Sequence, residues 1–204
     1  MRVDGIDMRD REMERKLRPG TTSRAGRELF SVVLRHWPSV LALGLALLIW
    51  PTGAESTVRV LAGILLIMPL IYLLTAATGR QAATWPVFGA LGVVFVLSGL
   101  QDAAPGFVIP VMLAVLVCGW AVATGRFDRA FLVPVAGMVV FGAIAIAAQY
   151  VELNIAHYLV AGGWIAHGVW DFAHHRADRT VARSFAEFCG VVDVLVGGVL
   201  LIAA

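Results

Sequence analysis

Long apolar runs alternate with short polar breaks along the chain. Seven runs stand out, at 37–50, 58–78, 85–100, 107–124, 130–148, 153–172 and 185–204. Runs of this length and continuity predict transmembrane helices, which need about 20 residues to cross a bilayer. Several are shorter, so those helices must tilt little or draw on flanking residues. The first run is the weakest unless it begins inside LFSVVLRHW, which makes six spans the alternative count. The segment GRELFSVVLRHW also reads as an amphipathic helix lying in the interface. The expected architecture is all-α, a polytopic membrane helix bundle. Residues 37–204 form the bundle, and residues 1–36 form a polar segment with an interfacial helix at its end.

The polar breaks assign orientation. Breaks at TGRQAAT, TGRFDR and HHRADRTVAR carry Arg, as does the N-terminal segment. They alternate with PTGAEST, QDAAPG and QYVELN, which have none; only Arg59 lies just past the edge of that set. Lys and Arg favour cytoplasmic loops. Seven spans in the cell membrane, with the N-terminus cytoplasmic, satisfy every break. Trp37, Trp50, Trp85 and Trp170 fall near predicted span ends, where interfacial aromatics sit.

Composition agrees with a membrane solvent. Hydrophobic residues make up 59% of the 204 and charged residues only 15%, against about a quarter charged in soluble domains. Nine of the sixteen Lys and Arg lie in residues 1–36, mixed with acids. That pattern fits a headgroup-facing segment and excludes a nucleic-acid partner. Residues 1–20 lack the apolar core of a signal peptide. Cys118 and Cys189 both lie inside apolar runs and read as packing residues.

The chain carries an internal repeat. Ala77-Thr78-Gly79-Arg80 recurs as Ala123-Thr124-Gly125-Arg126, and Pro86-Val87-x-Gly89 as Pro134-Val135-x-Gly137. The unit is two helices, and a third copy would place Ala173-His174-His175-Arg176 at the ATGR position. Residues 35–80 combine a Trp after basic residues, a Gly-containing apolar run, a Pro at its end and a second such run closing in GR. This pattern resembles the short two-helix-repeat membrane proteins of the HdeD acid-resistance type. The resemblance implies a structural or stress-related membrane protein with no catalytic residues. It is carried mainly by residues 35–80, and the polar residues beyond residue 150 depart from it.

Those polar residues are the candidate chemistry. Ionisable groups inside a span are costly and mark function. With about 100° and 1.5 Å per helical residue, His167 and Asp171 sit about 40° and 6 Å apart. Asp171 reaches His174 or His175 in the same way. Counting inward from Arg176 and Arg183 places His167 and Asp193 at a common depth of roughly 13–15 Å. Asp171 falls level with Glu187 or Cys189. Imidazole and carboxylate together suit zinc or iron. The candidate metal ligands are therefore His167, Asp171, His174, His175, Asp193 and Glu187. Five histidines are too few for the several His boxes of a membrane di-iron enzyme.

Simpler roles stand beside each of these. His174, His175 and Arg176 read equally as the headgroup end of a span, Asp171 as a partner of Arg176 or Arg179, and Glu187 as a first-turn acid. His167 and Asp193 read as a hydrogen bond locking two helices together. His36, Gln101, Asp102, Glu152 and His157 read as interfacial.

No nucleotide-binding or serine-hydrolase motif stands out. Three functions follow. One is a structural or stress-related membrane protein. Another is a membrane-embedded metal-dependent enzyme acting on a lipid-soluble small molecule. The third is a small proton-linked transporter. The lipid bilayer is the expected partner in all three.

Overall fold

The computed structural model describes residues 22–99 and 106–203. The polar segment 1–20 and the QDAAPG break, with Gln101 and Asp102, lie outside the described residues except for Gly106. The described chain is helical, with no strand among the described residues. Its helices are α1 (Thr22–Arg35), α2 (Trp37–Ile49), α3 (Glu55–Thr78), α4 (Thr84–Gly99), α5 (Val108–Ala123), α6 (Arg129–Tyr150), α7 (Leu153–Ala177) and α8 (Arg183–Ala203).

Four helical segments among the described residues are long and apolar enough to cross a membrane. They are α3, Gln81–Ser98, α6 and α8, with α1 and α2 making a fifth if that bent pair is one span. The seven expected runs all appear as helices, but α5 and α7 do not qualify on length and composition, and α2 qualifies only when joined to α1. Helix α5, at 16 residues, spans about 24 Å, short of the ~30 Å hydrocarbon core. Helix α7 is long enough at 25 residues, but its histidines and Asp171 dilute its apolar character. Helices α1 and α2 meet at 79°. The break falls at His36, just before Pro38 at the start of α2, where the ring removes a backbone donor.

Helix α3 is the centre of the bundle. Its whole length from Val58 to Ala77 is largely buried, and it packs on α4, α5, α6 and α7. Helix α8 lies between α7 and α2. The consecutive helices α2 and α3 are not each other's main neighbours; α2 packs on α8 instead. Glu187 at the start of α8 fixes that pairing by accepting from Ser39 Oγ at 2.6 Å. Glycines let α7 and α8 approach closely. A Cβ on Gly197 would lie 2.9 Å from the Ala161 carbonyl oxygen, and one on Gly168 would lie 3.2 Å from that of Gly190.

The repeat has a physical basis in helix termination. Gly79 and Gly125 both take left-handed conformations, with φ of 66° and 68°, the backbone that ends a helix most readily when no Cβ is present. Arg126 donates from Nη1 to the carbonyl of Ala77 at 2.8 Å, so the second copy caps the helix of the first. In the third unit the left-handed residue is Asp178, with φ 47°. The third copy of ATGR is thus Arg176-Ala177-Asp178-Arg179, three residues beyond the expected Ala173–Arg176. The side chains at 173–176 are still helical, which shifts the register. Proline marks the other end of each unit, as Pro38, Pro86 and Pro134 recur every 48 residues.

The described breaks of the two sets gather at opposite ends of the bundle. At one end Thr84 Oγ1 accepts from Ala182 N at 3.0 Å, and Arg183 reaches His175. At the other, Gly53 lies beside Ala203 and His157. Arg59, the one arginine near that second end among the described residues, donates to the carbonyls of Ala148 and Val151 and to Glu55. Its charge ties α3 to the end of α6.

A buried His-Asp-Asp centre between three helices

Three helices bring polar side chains to one point. His167 and Asp171 share a face of α7, as an i, i+4 pair must. Asp193 reaches them from α8, where Gly168 allows close approach. Tyr72 reaches them from α3. His167 Nδ1 lies 2.8 Å from Asp193 Oδ2 and 3.3 Å from Asp171 Oδ2. Tyr72 Oη donates to Asp171 Oδ1 at 2.5 Å. One ligand atom from each of His167, Asp171 and Asp193 falls within 4.8 Å of the other two. All three side chains are at most 1% exposed.

Aromatic rings wall the centre. Phe141 meets the His167 imidazole edge-on at 4.8 Å between centroids. Tyr72 packs against His167, Trp170 and His174. Inside this wall His167 Nε2 and Asp171 Oδ2 are buried without a hydrogen-bond partner. Unpaired buried polar atoms are rare in folded proteins and call for an explanation.

The remaining expected ligands lie elsewhere. His174 is one turn beyond Asp171, and its Nδ1 donates to the Trp170 carbonyl at 3.0 Å. Its ring contacts the wall of the centre, while His175 points away to Arg183. Glu187 holds Ser39 and lies near His36. Six residues separate Glu187 from Asp193, about 9 Å of rise and about 120° of rotation, which places it outside the centre. Asp171 pairs with Tyr72 and His167. His157 is buried, and its Nε2 donates to the Leu200 carbonyl at 2.8 Å. Cys189 is buried and Cys118 half-buried, both as free thiols.

Tyr72 escaped the sequence reading, although a phenol in the middle of an apolar run has to find an acceptor. Trp164 escaped it too; it is buried and donates to the Leu61 carbonyl at 3.1 Å.

No protein-family model matches the chain, and neither does any curated protein or solved structure.

Proposed function

We propose that this chain is a seven-span integral membrane protein of the cell membrane that holds one divalent transition-metal ion at His167, Asp171 and Asp193. The convergence of those three side chains in a fully buried space carries the reading. Charge counting supports it. One imidazolium can balance only one of two carboxylates, whereas a divalent cation balances both and leaves the imidazole neutral. An uncompensated charge in such a place costs several kcal/mol. Asp171 Oδ2, which has no hydrogen-bond partner and only the 3.3 Å contact to His167 Nδ1, has a lone pair left for the ion.

The donor set suits zinc or iron. Three protein ligands are the number that catalytic zinc sites use, with a fourth position left for water or substrate. A bound ion there supplies Lewis acidity. The surrounding aromatic side chains of Tyr72, Phe141 and Trp170 exclude bulk water from the centre. Tyr72 orients Asp171 through its hydroxyl, in the manner of residues that hold metal ligands in place.

A second reading has its own observation. The 2.8 Å contact between His167 and Asp193 is a normal hydrogen-bond distance, and such a bond could lock α7 to α8 without any ion. That role fits the structural or stress-related function the repeat pattern implies. Metal content separates the two. The untagged protein in mild detergent is expected to contain close to one zinc or iron per chain, lost in His167→Ala and Asp193→Asn. Wild type that stays metal-free after reconstitution with zinc and with iron would leave only the helix-locking role.

A further inference from the structure

The centre is not equidistant from the two ends of the bundle. Six residues separate Tyr72 from Thr78 at the end of α3, and six separate Asp171 from Ala177 at the end of α7. Each is about 9 Å of helix. The other end of α7, at Leu153, is 18 residues from Asp171, about 27 Å.

Polar atoms continue along this short side. Thr75 follows Tyr72 by one turn on α3, is fully buried, and its Oγ1 has no hydrogen-bond partner. His174 follows Asp171 by one turn, and its ring lies 4.8 Å from Tyr72 and 4.6 Å from Trp170. Because His174 Nδ1 donates to Trp170, its Nε2 keeps a lone pair when the ring is neutral. His174 is 9% exposed, whereas Asp171 is fully buried. The polar atoms thus run from the centre toward the end that carries Arg80 and Arg179. Buried polar groups in such a series are the usual hosts of ordered water.

We infer that the seam between α3 and α7, lined by Thr75 and His174, is the hydrated route by which a divalent cation enters and leaves the centre from the arginine-bearing end. The inference rests on the metal reading of the centre. Thr75 Oγ1 and His174 Nε2 replace part of the ion's hydration on the way in. They are positioning residues, and their loss changes the rate of passage rather than the number of ions held.

Zinc is the probe. Zinc-loaded wild type, Thr75→Val and His174→Phe are mixed with a zinc-chelating dye in detergent, and the release rate is followed. Both variants should bind as much zinc as wild type and release it at least about fivefold more slowly. Full zinc content with unchanged release in both variants would overturn the route and leave the metal centre standing. No zinc in wild type would overturn the metal centre itself. A labelling experiment tests the seam without metal. Thr75→Cys, in a background with Cys118→Ala and Cys189→Ala, should react with a small charged thiol reagent. A Thr75→Cys variant that folds and stays unlabelled would show the seam to be dry, and the route would fail on that ground alone.

Discussion

Replacing Tyr72 with Phe removes one hydroxyl, from the only hydrogen bond made to Asp171 Oδ1 among the described residues. A buried carboxylate oxygen left unpaired costs about 1–3 kcal/mol or more. Tyr72→Phe should therefore lower the thermal unfolding temperature in detergent. Loss of the orienting group should also weaken zinc binding by roughly 10–100-fold, as measured by competition with a chelating dye. Unchanged affinity would show that the Tyr72 hydroxyl does not orient Asp171 as a ligand. His167 and Asp193 were legible in the sequence because helical rise is fixed, so counting inward from two arginines gives depth. Rotation was legible only within one helix, as for His167 and Asp171. Tyr72 comes from a third helix whose apolar run gives no phase, and nothing in the sequence said which helix would face α7. Glu187 looked level with Asp171 by the same counting, but its rotation on α8 turns it toward α2.

Between elements, the spacing of α7 and α8 sets whether Asp193 can meet His167. Gly197 is where that spacing is tightest. A Cβ there would lie 2.7 Å from Ile165 Cγ1, 2.9 Å from the Ala161 carbonyl oxygen and 3.1 Å from Ile165 N. The isoleucine methylene can shift, but the two backbone atoms can move only with their helix. Gly197→Ala should destabilise the fold by about 1–3 kcal/mol, read from thermal unfolding. Gly198→Ala is the control, since nothing lies within 4 Å of its Cβ position, and it should stay within about 0.5 kcal/mol. Equal behaviour of the two variants would mean that α7 and α8 are not so close. Helix existence was legible because the apolar runs are continuous and most are bounded by Gly, Pro or charged residues. Helix partnership was not. The two-helix repeat does not set the packing, since α2 lies on α8 and α3 collects four other helices. Apolar runs in lipid look alike on every face, so the pattern that predicts a span carries little about its neighbours.

At the scale of the whole molecule, the number of crossings follows from which loops share a side. Arg126 meets Ala77, Thr84 meets Ala182, and Arg183 meets His175 at one end, while Gly53 lies beside His157 and Ala203 at the other. In a seven-span bundle every arginine-rich break faces the cytoplasm. Single cysteines at Thr52, Gln81, Phe127, Glu152 and Arg179, in a background with Cys118→Ala and Cys189→Ala, test this with a membrane-impermeant thiol reagent on intact cells. Thr52→Cys and Glu152→Cys should be labelled, and the other three protected until the cells are opened. Each departure has its own meaning. Labelling at Phe127 on intact cells would mean that α5, only 16 residues long, does not cross. Matching behaviour at Glu152 and Arg179 would mean that α7 fails to cross. The second outcome matters most, because α7 carries two of the three candidate ligands. A helix bearing His167 and Asp171 can hold them at depth only if α3 and α8 shield it from lipid. At 25 residues, about 37 Å of helix, α7 is long enough to cover the ~30 Å hydrocarbon core.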